Sequence, residues 1–357
     1  MKLLVTGAAG HLGANLVRRL LWEGEEVRVL KRRGSENRGI DVLGNQVEVV
    51  EGDLRDMDSL RRATRGVKRV FHCAAQIATV EGREQEIFES NVLGTKDLLQ
   101  AARENGVERV VVTGSFSACG HRPGIASDET VPFNPFAGTM PYEKSKAGVE
   151  HECLKAVVDG QDVVIATSCA ILGPYDYVPS RMGRLIRDFA NGKVLAYIPG
   201  GFEFVAAHDI VEGHLLAMKK GRAGQKYIIS SGHVTVDELM DIYSRVLGRK
   251  KPPLRLPPKL MAVVSQVSTR VLKLVAPESP QRLTPYAVKI LGQYRRADIS
   301  KAKRELGFSP TPIEAAIREQ YEWFIAEGQI KGKSSGPFVP GYARNGRGSK
   351  RAESATA

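Results

Sequence analysis

The chain has 357 residues, enough for one large domain or two smaller ones. Hydrophobic residues make up 42% and charged residues 26%, as in globular proteins, and no run of about 18 apolar residues predicts a transmembrane helix. The net charge of +12 would suit nucleic acid, anionic lipid or phosphorylated ligands. Because no helix-turn-helix, zinc-finger or aromatic RNA-binding motif accompanies it, we expect no nucleic-acid partner.

Short β-branched runs alternate with amphipathic stretches over the first half of the chain. The predicted strands are 2–7, 25–32, 46–54, 68–75, 108–115 and 162–171, and helices are predicted at 12–24, 58–66, 87–106 and around 141–146. Strand–helix alternation with apolar strands predicts a parallel sheet covered on both faces, with right-handed crossovers. We therefore expect an α/β fold, a Rossmann doubly wound parallel sheet, over residues 1–170.

The pattern loosens after Ile171, where segments rich in Pro and Gly interrupt short helices. This predicts a smaller C-terminal substrate-binding region over 171–330, packed on the first domain and partly interleaved with it. Residues 331–357 are basic and rich in Gly and Ser, so we expect a disordered tail.

One apolar helix is predicted at 258–275, and it carries Lys259, Arg270 and Lys273. Two interpretations stay open for it. It could lie on a membrane surface and admit a lipid-like substrate, which would make the protein a peripheral membrane protein. The other interpretation, which the sequence favours, is a core-facing helix of the C-terminal region.

A glycine-rich loop, TGAAGHLG at 6–13, follows the first strand and opens the first helix. Gly7 allows a tight turn, Gly10 lets the backbone approach a pyrophosphate, and Gly13 lets the helix pack on the strand. The first helical turn, at His11 and Leu12, offers free N–H groups and a positive dipole end to phosphates. The loop therefore predicts a dinucleotide site.

The second strand ends in Lys31, Arg32 and Arg33, with no acidic residue among them. NAD-binding folds usually carry an Asp or Glu here that holds the ribose 2′-hydroxyl. A carboxylate would repel a 2′-phosphate, whereas cations attract it. The sequence therefore favours NADP(H), with NAD(H) possible.

Further motifs occur in one order along the chain. They are Gly-Asp-Leu at 52–54, His-Cys-Ala-Ala at 72–75, Asn-Val-x-Gly-Thr at 91–95, Thr-Gly-Ser at 113–115, Tyr-x-x-x-Lys at 142–146 and ADISKAKRELGFSP at 297–310. Together with the glycine loop, they make residues 1–325 resemble the extended short-chain dehydrogenase/reductases. The chain is most similar to the branch that holds dihydroflavonol reductases, 3β-hydroxysteroid dehydrogenases and bacterial hopanoid-associated enzymes.

The resemblance implies a role for each matching position. It assigns the adenine edge to Asp53, the cofactor wall to Ala74 and Ala75, and a supporting hydrogen-bond network to Asn91. Leu54 and Thr113 are further cofactor-binding residues. The catalytic triad falls on Ser115, Tyr142 and Lys146, and the strand end nearest the nicotinamide on Gly173 and Pro174. It also implies a homodimer that pairs through the helices around Asn91 and Tyr142.

Tyr142 and Lys146 lie four residues apart, which places them on one helix face. A tyrosine pKa is normally about 10, and a nearby ammonium and an oxidised nicotinamide should lower it. In the reductive direction we expect Tyr142 to donate a proton to a carbonyl oxygen that receives hydride at its carbon, with Ser115 polarising the oxygen. The resemblance also places Lys146 at the nicotinamide ribose.

Two positions bear on the substrate. Sugar-nucleotide epimerases and dehydratases of this family often carry an Asn where we align Ala170 and an Arg where we align Phe202. Without these diphosphate ligands, the lining becomes apolar and favours a hydrophobic alcohol or carbonyl. A nucleotide-sugar enzyme with retained NAD remains the alternative, and a non-catalytic dinucleotide sensor is a third hypothesis that the intact Ser115, Tyr142 and Lys146 disfavour.

The four cysteines, Cys73, Cys119, Cys153 and Cys169, show no paired or metal-like spacing. They fit free thiols in a reducing cytoplasm. Cys169 is either a reactive thiol near the nicotinamide or a small packing residue. His208, Asp209 and His214 also lack a metal-ligand pattern, so we expect no metal.

Overall fold

The computed structural model describes residues 1–34, 37–77, 83–136, 140–257, 290–332 and 338–344. A seven-stranded parallel sheet forms its centre, in the spatial order β3-β2-β1-β4-β5-β6-β10. These strands are β1 (Lys2–Thr6), β2 (Glu26–Lys31), β3 (Glu48–Glu51), β4 (Arg69–His72), β5 (Arg109–Ser115), β6 (Val163–Ser168) and β10 (Lys226–Ile229). The order reverses beside β1, so a crevice opens at the carboxyl ends of β1 and β4.

Helices cover both faces of this sheet. On one face α1 (His11–Trp22) and α8 (Ala207–Lys220) pack on a core that includes Leu16 and Ile210. On the other face lie α3 (Met57–Thr64), α5 (Gly94–Glu104) and α6 (Pro141–Val158). Two short helices, α2 (Arg38–Asp41) and α4 (Glu84–Ile87), lie in the connections. Because both faces are buried, the central strands are built around runs of apolar residues, such as Val110–Val112 of β5.

A second, smaller region surrounds a three-stranded sheet in the order β11-β9-β7. Its elements are β7 (Ala170–Leu172), α7 (Arg181–Ala190), β8 (Ala196–Tyr197), β9 (Gly201–Ala206), β11 (Gly232–Thr235), α9 (Val236–Leu247), β12 (Leu254–Arg255), α10 (Ile313–Ala326) and α11 (Gly341–Arg344). Trp323, Phe324 and Tyr243 fill its core. The short 3₁₀ helices are Gly44–Gln46 and Phe116–Ala118, and the π-helical turns are Phe88–Leu93 and Ala302–Leu306.

The α/β doubly wound fold is confirmed, and all six strands expected in the first half are present. After part of the smaller region, the chain adds a seventh strand to the central sheet, where β10 pairs in parallel with β6. The sequence did not predict this seventh strand. Within the 297–310 motif, Ser300 and Lys301 are helical and lead into a π-helical turn, Ala302–Leu306, whose Ala302 and Leu306 are buried against the main core.

Part of the basic tail contacts the body of the protein. Residues 338–344 pack against it, with the Tyr342 ring 5.5 Å from Trp22 and the Phe338 ring 5.7 Å from Tyr175. Composition alone could not reveal these aromatic contacts, and the disorder of the tail stays a prediction. Residues 333–337 and 345–357, and the whole of the predicted helix at 258–275, lie outside the described residues.

Candidate active site

The glycine loop brings the start of α1 against the ends of β1 and β4. Gly7 has φ of +70°, and a Cβ there would lie 2.5 Å from the backbone nitrogen of Ala74. A Cβ on Gly13 would lie 2.2 Å from the carbonyl oxygen of Gly7. Only glycine satisfies both the left-handed turn and these close backbone approaches.

Gly10 caps α1 in an extended conformation, and no side chain caps this helix end or places an acid in its first turn. The first N–H groups of the helix, including those of His11 and Leu12, therefore remain available to an anion. A cavity of about 420 Å³ lies against this end. It is lined by Gly7, Ala8, Ala9, Gly10, Leu30, Lys31, Arg32, Asn37, Ile40, Gly52, Asp53, Leu54, Arg55, Cys73, Ala74, Ala75, Gln76, Arg83, Glu86 and Ser90. This shape and these donors fit a dinucleotide.

The three basic residues at the end of β2, Lys31, Arg32 and Arg33, have different surroundings in the structure. Lys31 Nζ lies 2.7 Å from the carboxylate of Asp41, and this contact lowers the pKa of Asp41. Arg33 is 89% exposed and lies 3.5 Å from Glu51. Arg32 lines both the dinucleotide cavity and an adjoining basic cavity, so it is the best placed of the three to contact a bound nucleotide.

Sequence reasoning missed Arg55, which lines the same two cavities. Its Nε lies 3.0 Å from the carboxylate of Asp53, and the pair holds the pKa of Asp53 below its usual value. Asp53 thus keeps its charge and a fixed orientation at the edge of the cavity. An acid followed two residues later by an arginine is a common loop pattern, so the sequence carried little signal for it.

Asn91 links the end of β4 to α6. Its Oδ1 accepts from the backbone nitrogen of Gln76 at 2.7 Å, and its Nδ2 donates to Ser145 Oγ at 3.0 Å. Ser145 in turn donates to the carbonyl of Tyr142 at 2.8 Å. These hydrogen bonds connect Asn91 to the first turn of α6 beside the cavity.

Tyr142 and Lys146 occupy one face of α6, which begins at Pro141. Lys146 Nζ donates to the carbonyl of Thr113 at 2.6 Å, and burial lowers its pKa to about 8. Burial raises the pKa of Tyr142, and a hydrogen bond with Ser115 opposes this rise only in part. This corrects the expectation that Lys146 would lower the tyrosine pKa, because in the protein alone the desolvation of the phenolate outweighs other effects.

His214, for which the sequence predicts no functional role, supports the position of Lys146 through Thr113. His214 Nδ1 lies 2.7 Å from the carbonyl of Ile210, so it carries the proton, and Nε2 accepts from the hydroxyl of Thr113 at 2.8 Å. Burial lowers the pKa of His214 to about 4, which keeps the ring neutral. His214 therefore positions the residue whose carbonyl holds Lys146.

His72 joins the glycine loop to the helix that carries Asn91. Its ring nitrogens lie 2.7 Å from Thr6 Oγ1 and 2.9 Å from Thr95 Oγ1, and Thr95 donates to the carbonyl of Asn91. Burial lowers the pKa of His72 to about 3, so the ring stays neutral. Its side chain fixes neighbouring strand ends and does not contact the cavity.

The strand end after β7 is held on α1. His11 Nε2 lies 3.1 Å from the carbonyl of Gly173 and 3.0 Å from that of Pro174, and Asn15 donates to Pro174 at 2.8 Å. The side chain of His11 therefore closes the crevice, a contact that the glycine pattern alone does not reveal.

A second cavity of about 260 Å³ lies beyond Tyr142. Its lining comprises Ser115, Phe116, Ser117, Met140, Tyr142, Glu143, Ser168, Cys169, Ala170, Gly201, Phe202, Glu203, Ile290 and Arg295. Ala170 and Phe202 both belong to this wall. Burial raises the pKa of Cys169 well above its usual value, which favours the packing role over the reactive one.

Within the described residues, no group of three or more His, Cys, Asp or Glu side chains is arranged to hold a metal ion. His208 pairs with Asp209 at 3.1 Å and with Thr311 at 2.7 Å, where α8 meets the segment before α10. Among the helices of these same ranges, none combines the length and the apolar character that crossing a bilayer needs.

Curated relatives span nearly the whole chain. It is 42% identical to sterol demethylase protein B of Methylococcus capsulatus, over 92% of this chain and 100% of the relative. It is 33% identical to a putative dihydroflavonol 4-reductase of Synechocystis, over 92% of this chain and 95% of the relative.

Among solved structures, the fold matches that of gox2253 with a TM-score of 0.80 and 32% identity, over 92% of this chain and 99% of that one. The resemblance to extended short-chain dehydrogenase/reductases is confirmed, as is the expectation of an enzyme of this kind. The family model for the NAD dependent epimerase/dehydratase family matches residues 3–230. The chain therefore belongs to the NAD dependent epimerase/dehydratase family.

Proposed function

We propose that the protein is an NADP(H)-dependent oxidoreductase that interconverts a carbonyl and a secondary alcohol on a hydrophobic substrate. One observation carries this proposal: Ser115 and Tyr142 line one cavity together with Ala170 and Phe202. An apolar wall there suits a sterol-, flavonoid- or lipid-like molecule better than a nucleotide diphosphate. The names of the sterol and dihydroflavonol relatives agree with this class.

The chain supplies the acid–base part of the reaction, and the bound nicotinamide supplies or accepts the hydride. Tyr142, protonated because burial raises its pKa, donates its proton to the carbonyl oxygen in reduction. Ser115, which opposes the rise of the Tyr142 pKa and lines the same cavity, stabilises negative charge on the same oxygen. Lys146, fixed by Thr113 at 2.6 Å and one helical turn from Tyr142, would hold the nicotinamide ribose, the role that the family resemblance implies.

The cofactor preference rests on the cations at the adenosine end of the larger cavity. Arg32 and Arg55 line both this cavity and the basic one beside it. A guanidinium binds a phosphate dianion in a bidentate, charge-assisted manner, and this would favour NADPH over NADH. Asp53 and Asp41 remain paired with cations, so neither carboxylate directs unopposed charge at that phosphate.

Exposed apolar side chains support the proposed homodimer. Phe88 is 47% exposed and Val158 is 88% exposed, and Leu93 and Leu154 are also exposed. They belong to α6 and to the π-helical turn that leads into α5, the helices around Asn91 and Tyr142. Light scattering at micromolar concentration tests this, because a monomer there would contradict it.

A nucleotide-sugar epimerase or dehydratase is the competing function, since the family includes such enzymes. These regenerate their cofactor within each turnover and would retain NAD⁺. The test is the cofactor content of freshly purified protein, followed by NADPH and NADH titrations of the emptied protein and a screen of hydrophobic ketones. Reversible, preferential NADPH binding with ketone reduction supports our proposal, whereas one retained NAD⁺ per chain contradicts it.

A further inference from the structure

Glu203 is an unexpected residue in the wall of the smaller cavity. It lies in β9 with only 7% of its surface exposed. It lines the same cavity as Ser115 and Tyr142. A carboxyl group in a largely apolar wall costs free energy unless hydrogen bonds compensate for the water it has lost.

Among the described residues, Ser230 and the backbone N–H of Ala297 compensate part of this carboxyl group. Ser230 Oγ donates to Glu203 Oε1 at 2.7 Å, which fixes the orientation of the carboxyl group. Oε2 is buried and has no hydrogen-bond partner among the residues that the structure describes. A buried acceptor that is oriented yet unpaired is one that a ligand can satisfy.

The other polar groups of the cavity limit what that ligand can be. Arg295 lines the same cavity, where its Nη2 donates to the carbonyls of Cys119 at 2.6 Å and Phe116 at 3.1 Å. Its positive charge disfavours a cationic ligand, and the carboxyl of Glu203 disfavours an anionic one. A neutral hydroxyl fits both, because it can donate to a carboxylate or accept from a carboxylic acid.

We propose that Glu203 is a specificity-determining residue that hydrogen-bonds, through Oε2, to a hydroxyl group of the substrate distinct from the reacting carbonyl. This rests on the proposed function, since it assumes that the carbonyl lies at Ser115 and Tyr142. The substrate class narrows accordingly, to a hydrophobic ketone that also bears a hydroxyl on the part of its skeleton facing β9.

The test compares a 3-ketosteroid that has no other polar group with a panel of its monohydroxylated derivatives, which differ only in hydroxyl position. Binding to NADP⁺-loaded protein is measured by calorimetry, so the readout does not need turnover. We expect at least one derivative to bind about tenfold or more tightly than the parent, because a site built for a hydroxyl discriminates against its absence. Equal affinities across the panel would overturn the proposal.

Two variants assign the preference to this carboxyl group. In Glu203→Leu, the best derivative and the parent should bind within about threefold of each other, because the acceptor is gone. Ser230→Ala keeps the carboxyl but removes the bond that orients it, so its preference should fall between those of wild type and Glu203→Leu. A preference that survives Glu203→Leu would also overturn the proposal.

The proposed function is judged separately, by NADPH oxidation in the presence of the same ketones. A protein that prefers a hydroxylated ketone in binding but reduces none of the panel would contradict the proposed function and leave the role of Glu203 standing. A protein that binds and reduces the parent and every derivative equally well would contradict the role of Glu203 and leave the proposed function standing.

Discussion

The two cavities are built in different ways. Residues that line the dinucleotide cavity all lie between Gly7 and Ser90, and many are glycines and alanines, whose small side chains leave the backbone accessible. The cavity at Tyr142 draws on separate segments between Ser115 and Arg295, which meet only in the folded protein. Local motifs therefore describe the first cavity, whereas tertiary packing creates the second. Changes in the two should separate cofactor binding from chemistry and substrate choice.

The largest effect should come from the smaller cavity. Tyr142→Phe removes the proton donor but keeps the ring, so kcat for ketone reduction should fall by about 10³-fold while NADPH affinity changes by less than about threefold. Steady-state kinetics and cofactor titration measure both quantities. Tyr321→Phe, a tyrosine of α10 outside both cavities, is the matched control. Turnover within a few-fold of wild type in Tyr142→Phe would refute the assigned acid.

A change in the glycine loop should instead reduce protein stability and cofactor binding. In Gly13→Ala the new Cβ would meet the Gly7 carbonyl at 2.2 Å, so we expect the free energy of unfolding to fall by roughly 3 kcal/mol, with loss of cofactor binding. Gly24→Ala is no control, because Gly24 has φ of +80°. Gly10→Ala is better, since its Cβ would meet only the Gly7 oxygen, at 3.3 Å. Urea unfolding should show a much smaller loss there, and equal losses would contradict this packing.

Arg32 gives a more selective change within the same cavity. Arg32→Gln should weaken NADPH by about tenfold or more and NADH by less than about threefold, because only NADPH presents a phosphate dianion. Arg61→Gln is the control, since Arg61 is paired with Glu104 at 2.8 Å on α3 and lines neither cavity. Fluorescence titrations of both cofactors decide the matter, and equal weakening would refute the NADP(H) assignment.

The smallest effect should come from Lys146, as a change in the free energy of unfolding. Burial lowers its pKa from the usual 10.5 to about 8, so between these values the folded protein binds fewer protons than the unfolded chain. Its contribution to the free energy of unfolding is therefore unfavourable below about pH 8 and becomes less so as the pH rises toward 10.5.

Lys146→Met removes that cost and also the bond to Thr113. The cofactor-free variant should be more stable than wild type at pH 7 by roughly 1 kcal/mol, and the gain should vanish near pH 10. Thermal unfolding at the two pH values measures this, and Lys144→Met, at an exposed position of the same helix, is the control. A variant less stable than wild type at pH 7 would show that the bond to Thr113 outweighs desolvation.

The sequence was sufficient to predict features that depend on residues close to one another along the chain. The six strands of the first half, the glycine turn and the Tyr142–Lys146 face are set by periodicity of two or 3.6 residues and by backbone geometry. β10, Lys226–Ile229, was missed because it lies after Ile171, where the regular alternation of strands and helices no longer marks it.

Glu203, Arg295 and His214 could not be found in the same way. Each is distant in sequence from Tyr142, and each obtains its role from a partner brought close by folding: Ser230, the carbonyl of Cys119, and Thr113. The direction of the Tyr142 pKa also depends on burial, which a spacing of four residues does not report.

The most direct test of the account follows a single hydride. Wild-type protein and Tyr142→Phe are incubated with NADPH deuterated at C4 of the nicotinamide and with a hydrophobic ketone, and the alcohol is analysed by mass spectrometry. We predict one deuterium at the carbinol carbon and one NADP⁺ formed per alcohol for wild type, with about 10³-fold less product from Tyr142→Phe. Turnover without net oxidation of added NADPH, on a tightly retained NAD⁺, would contradict it.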